Sequence, residues 1–195
     1  MIPACPERSV LGRGLFLPGG SRSCALLDHG ADSNAPLRTW TPNRRSAKDF
    51  YFVPELVGAT PFWLASRFSE PGIMRLLVQR GADPLFVHHG DRVVDGRPGQ
   101  GYEHRTETTT ALMAATGMGG GTAWIQPDRA QREALMLEAV KVAVELGVDV
   151  NAANTNGRTA LDAATALKYD SVVKFLVEKG ARAGTTRKEQ TPPKD

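Results

Sequence analysis

Asn156-Gly157-Arg158-Thr159-Ala160-Leu161-Asp162-Ala163-Ala164 opens a stretch that passes a polar break at Lys168–Ser171 and closes on Val172-Val173-Lys174-Phe175-Leu176-Val177-Glu178-Lys179-Gly180. Thr159 suits an N-cap, because its hydroxyl can accept a free backbone N–H at a helix start. Leu161, Ala163, Ala164 and Leu167 then fall on one helical face, and Val172, Val173, Phe175, Leu176 and Val177 supply the apolar set of a second helix. Gly180 stands where a left-handed residue ends such a helix. The stretch therefore predicts two short antiparallel helices with a glycine stop. A unit of this size buries its apolar faces only by stacking on copies of itself.

Copies lie upstream. Gly58-Ala59-Thr60-Pro61-Phe62-Trp63-Leu64-Ala65-Ser66 matches Gly157–Thr165, and its second helix, Ile73–Arg80, ends at Gly81-Ala82-Asp83-Pro84. Thr109-Thr110-Ala111-Leu112-Met113-Ala114-Ala115 opens a third unit, whose second helix runs from about Arg132 to Leu146 and stops at Gly147-Val148-Asp149-Val150-Asn151. A half unit remains at Ala25-Leu26-Leu27-Asp28-His29-Gly30-Ala31-Asp32-Ser33-Asn34. Gly147 and Gly180 are 33 residues apart.

These segments resemble ankyrin repeats, which carry Thr-Pro-Leu-His-x-Ala at the first helix and Leu-Leu-x-x-Gly-Ala-Asp-x-Asn after the second. The matches are Thr60-Pro61-Phe62 with Ala65, Leu76-Leu77 with Gly81-Ala82-Asp83, Leu26–Asn34, and Gly157–Leu161 with Ala164, Phe175-Leu176 and Gly180-Ala181. Long insertions of this kind resemble those of bacterial ankyrin arrays. The resemblance implies an all-α fold, an ankyrin-repeat α-solenoid of stacked helix-turn-helix units with loop or β-finger insertions. It also implies a protein-binding scaffold or adaptor without catalysis, and leaves the protein partner unidentified. The family's histidine is replaced by Trp63, Met113 and Asp162. Trp63 and Met113 are expected to hold the seam between units by packing instead, each contributing about 1.5–3 kcal/mol.

The order expected along the chain is an irregular leader (1–20), a partial repeat (21–34), an insertion (35–57), a repeat (58–85), a finger insertion (86–107), a repeat with an internal insertion (108–155), a last repeat (156–183) and a polar tail (184–195). The leader has no helical periodicity and no uninterrupted apolar core of a signal peptide. It is either a poorly ordered start, from a truncated array or misassigned, or an irregular cap on the Leu26/Leu27 face. In the first insertion Pro36, Pro42 and Pro54 argue against one continuous helix. Phe50–Val53 is a short strand or, more in keeping with loop aromatics, an anchor packed on the stack. In the finger insertion, Leu85–His89 and Tyr102–Thr106 flank Gly90–Gly101, which holds four glycines and one proline; the whole reads as an extended β-finger with a floppy tip. Gly117–Asp128 separates the two helices of one unit and is expected at the rim opposite the fingers. Asp128 is the N-cap expected for the long helix, and Leu135, Ala139, Val142 and Leu146 its buried stripe.

The 195 residues carry a net charge of +3, dispersed along the chain, which is too weak to indicate nucleic acid. No apolar run reaches the roughly 18 residues of a membrane span. Cys5 and Cys24 form neither a disulfide framework nor a zinc pattern and are expected as plain thiols. Imidazoles on neighbouring strands, as at His88, His89 and His104, can bind a metal, yet neighbouring strand residues point to opposite faces, so exposed loop histidines are expected and no metal or other cofactor. Gly117–Gly121 lacks the Lys-Ser/Thr of a phosphate loop and reads as a flexible turn. No nucleophile or carboxylate pair calls for an enzyme. Aromatic and arginine side chains are the usual anchors of a binding surface. Trp40, Arg44, Arg45, Tyr51, Phe86, His88 and Tyr102 are accordingly the candidates, with Trp124 as an outlier on the far rim.

Overall fold

A computed structural model describes residues 18–39, 53–95, 102–120 and 128–185. Helix α1 (Pro18–Asp28) is followed by a 3-10 turn (Pro54–Leu56), α2 (Pro61–Arg67) and α3 (Pro71–Gln79). A hairpin of β1 (His88–Asp95) and β2 (Tyr102–Thr109) leads into α4 (Ala111–Ala115), α5 (Arg129–Glu145), α6 (Ala160–Leu167) and α7 (Asp170–Glu178). α2, α4 and α6 pack side by side in one row, and α1, α3, α5 and α7 in a second. Each pair α2–α3, α4–α5 and α6–α7 packs on itself and on the next pair, so the units follow one another in chain order.

Local chemistry starts and stops these helices where the sequence pattern expects. The Thr60 and Thr110 hydroxyls accept from the Trp63 and Met113 N–H groups, each at 3.4 Å, and Asp128 Oδ1 accepts from Gln131 N at 2.9 Å. Pro61 and Pro71 stand at first helical positions, where the missing N–H costs nothing. At α6 the Asp162 carboxylate reaches back to the Thr159 N–H, at 2.8 Å. Gly30, Gly81, Gly147 and Gly180 close the outer helices with φ between 82° and 86°, a conformation that favours glycine.

The main core runs the length of the stack. It joins Phe62, Met74 and Leu77 to Leu112 and Ala115, then to Met136, Ala139, Val140 and Ala143, then to Ala164, Val172 and Leu176. Leu161 packs at its edge, and Leu77 rather than Leu76 enters it. Along α5 the buried residues are Met136, Ala139, Val140, Val142 and Ala143, so Ala139 and Val142 of the expected stripe are inside and Leu135 is not. Leu135 is exposed because α3 and α7 grip the helix one residue further on, at the i, i+3, i+4, i+7 positions of Met136. Leu167, also expected inside, is exposed beside the left-handed Lys168 that ends α6.

The repeats are helical and the insertion is the expected β-finger, an antiparallel two-stranded sheet running from His88↔Thr109 to Asp95↔Tyr102. Three further expectations change. Strand β1 passes through Gly90, so the paired part of the finger is longer than the flanking aromatics suggest. Helix α1 reaches back to Pro18, into the stretch expected to be irregular. Cys24 is disulfide-bonded rather than a plain thiol, and Cys5 lies outside the described residues. Among the described residues no helix is long and apolar enough to cross a membrane.

Candidate functional site

The hairpin leaves the stack between the second and third units, and its root is the most elaborated part of the described molecule. Alternation along residues 85–89 sorts the side chains: Phe86 and His88 turn inward, Leu85, Val87 and His89 outward. Phe86 packs against the buried cluster of Leu56, Ala59, Trp63 and Ala114, as do Leu37 and Val53. His88 is 0% exposed. Its ring centroid lies 4.4 Å from that of Trp63, tilted by 42°, and its Nε2 is 3.0 Å from the Val57 carbonyl oxygen. Since a carbonyl only accepts, Nε2 carries the proton. Burial lowers the His88 pKa most; the Val57 bond and Glu107 oppose that shift, and His89 adds to it.

Trp63 is the centre of this root. Its Nε1 donates to the Thr109 carbonyl at 3.2 Å, and its ring packs on Ala114 of the next unit. The expectation that Trp63 holds the seam by packing is met, with a hydrogen bond added. Met113 does the equivalent one unit on, buried with Met118, Ala152 and Ala163. The residues after α4 fold back over the indole. A Cβ on Gly119 would lie 2.5 and 2.8 Å from two Trp63 ring carbons and 3.1 Å from Thr109 Oγ1. Gly120 presses likewise on the Glu55 side chain, and its carbonyl accepts from Arg67 Nε at 2.7 Å. Burial lowers the Arg67 pKa. This turn was expected to be flexible and on the opposite rim. Its described part instead lies at the hairpin root, drawn there by the indole face and the Arg67 donor.

The candidate binding residues fare unequally. Trp40, Arg44, Arg45, Tyr51 and Trp124 lie outside the described residues. Tyr102 opens β2 opposite Asp95, and its side chain lies outside them too. Phe86 is half-buried in the packing beneath the hairpin. His88 is corrected outright: its ring is walled in by Trp63 and Gly90 and offers no surface. His89 and His104 are exposed, and His104 Nδ1 lies 3.5 Å from Asp91 Oδ1. Among the described residues no three His, Cys, Asp or Glu side chains converge as metal ligands.

Two residues that sequence reasoning missed are Leu85, 57% exposed, and Val87, 40% exposed. The period-two alternation with Phe86 and His88 was the signal that could have found them. Leu85 also stands five residues after the first α3 stop residue's neighbour Arg80, at the place occupied in other units by asparagine. Asn34 Nδ2 donates to Gly81 O at 2.9 Å, and Asn34 Oδ1 accepts from Asp83 N at 2.8 Å. Asn151 repeats this one seam from the end, donating to Gly180 O at 3.2 Å and accepting from Arg182 N at 2.8 Å. Leucine can make neither bond.

The ankyrin repeat family model matches residues 57–89 and 156–185. Those segments are the second unit with the start of the hairpin, and the last unit with the residues docked behind it. No curated protein matches the chain. The two matched segments bracket a third helical pair packed between them in the same rows, and both are similar to ankyrin repeats.

Proposed function

We propose that the chain is a protein-protein interaction module, a scaffold or adaptor with no catalytic activity of its own, built as a short ankyrin solenoid. The observation that carries this is the pair of ankyrin matches on either side of a projecting hairpin. Ankyrin repeats generally bind proteins, and an insertion that lengthens one edge of the stack enlarges the surface on offer. Gly119 and His88 lie against the Trp63 ring, and this reading takes the hairpin and the first insertion as the contact edge. Leu85 and Val87, exposed at the hairpin root, add apolar area there. Trp40, Arg44, Arg45, Tyr51 and Tyr102 are the aromatic and arginine anchors of the same reading.

Affinity capture with the intact chain and with a variant that replaces residues 91–106 by a tight turn tests this reading. The intact chain should retain at least one protein that the shortened variant loses while keeping its helical signal. An unchanged set of captured proteins would remove the hairpin from the binding surface.

A further inference from the structure

We propose that His88 is a proton-operated latch: neutral, it pins the hairpin to the repeat stack, and protonated, it lets the hairpin go. The geometry has three parts. Nε2 donates to the Val57 carbonyl, at 3.0 Å, and so ties β1 to the turn that opens the second unit. The opposite edge of the ring, Nδ1, is buried with no hydrogen-bond partner, and so is Oγ1 of Thr109, its cross-strand neighbour. Gly90 lines this edge: a Cβ there would lie 3.2 Å from His88 Cε1 and 3.6 Å from Nδ1.

A neutral imidazole tolerates that surrounding, because Nδ1 then carries only a lone pair. A protonated one places a second N–H and a full charge there, and a buried cation without its own partner is costly. The charged and titratable groups around the ring divide. Glu107 on β2 favours the cation, as does the face of Trp63 on α2. His89 on β1 disfavours it. Glu55 on the 3-10 turn presents its carbonyl to Gly90 and its side chain to Gly120, and Arg67 on α2 spends its Nε on the Gly120 carbonyl. Burial prevails over the favourable groups, and the folded ring holds its proton more weakly than a free one.

The sign follows from linkage. Above the ordinary imidazole value of about 6.5 the ring is neutral whether the hairpin is docked or open, and docking is unaffected by pH. Below it the open state takes up the proton first, so docking weakens until the pH reaches the lower docked value. The consequence for a bound protein, release or remodelling on acidification, rests on the reading of the hairpin as part of the binding surface. The latch itself does not.

The test uses the full chain. An NMR titration of the His88 ring gives its midpoint, and hydrogen exchange of the β1 and β2 amides, corrected for intrinsic rates, gives docking. The midpoint should lie below the ordinary value. Hairpin exchange should rise as pH falls from there, by about tenfold for each unit of displacement, while α6 and α7 keep their protection. His88→Gln retains an amide donor for Val57 and does not titrate, so its hairpin exchange should be flat with pH. A midpoint at or above the ordinary value, pH-indifferent hairpin exchange in the unmodified chain, or the same pH response in H88Q would overturn the latch. If H88Q does not fold, the unmodified chain decides alone. Because these measurements read the free chain, they stand or fall separately from any partner.

Discussion

The outer seams and the middle seam of this stack solve one problem in two ways. Between the first and second units, and again between the third and fourth, an asparagine side chain bonds two backbone groups of the following unit. Further polar contacts assist: Ser33 Oγ donates to Arg80 O at 3.1 Å, Arg80 pairs with Asp28, and Asn154 Nδ2 donates to Glu107 Oε1 at 2.6 Å. The middle seam has Leu85 in the asparagine's place and a buried indole instead. Magnitudes explain why it holds. Two exposed hydrogen bonds from one asparagine contribute about 1–2 kcal/mol net. A buried tryptophan removes roughly 200 Å² from water, an upper limit of about 5 kcal/mol. The lesson is that a repeat can drop its polar staple when a large apolar group replaces it, and the replaced position becomes free surface.

The comparison is broken most directly by Trp63→Ala, which should cost about 3–5 kcal/mol and lower the urea midpoint accordingly. Gly119→Ala should cost about 2–3 kcal/mol, because the new Cβ meets the indole and the residue has a φ of 88°. A thermal melt that leaves G119A within a few tenths of a kcal/mol of the parent would show that the turn is not pressed on Trp63. Asn151→Ala should cost less, about 1–2 kcal/mol, with the loss read as faster amide exchange at Arg182. Leu85→Asn sharpens the comparison from the other side. It restores the staple that Gly147 O and Asp149 N lack among the described residues, and should raise stability by about 0.5–1 kcal/mol in the same denaturant titration.

The repeat frame was legible in the sequence because its signals are local. Threonine caps, the glycine stops and the spacing of apolar residues act within one unit, and the structure places them where the pattern does. Across units, the packing of Trp63 and Met113 at the seams was legible, and the other contacts were not. His88 looked like a loop histidine because nothing within ten residues of it announces Trp63 or Val57 as neighbours. Gly119 looked like slack because its constraint is an indole more than fifty residues earlier in the chain. Leu135 and Leu167 looked like core residues because periodicity gives the apolar stripe and not which edge of it a neighbour grips. The alternation with Phe86 and His88 marks Leu85 as outward-facing, but only alignment with Asn34 and Asn151, whose bonds the structure shows, gives its substitution a meaning.

Hydrogen exchange across the whole chain, comparing Trp63→Leu with Asn151→Ala, tests the two-seam account most directly. The account predicts that Trp63→Leu speeds exchange on both sides of the middle seam, at residues 58–66 and 106–115, and spares Arg182 and Gly184. Asn151→Ala should do the reverse, loosening residues 180–184 and sparing the middle. If Trp63→Leu leaves residues 106–115 as protected as in the parent chain, the indole does not hold the seam and the account is wrong.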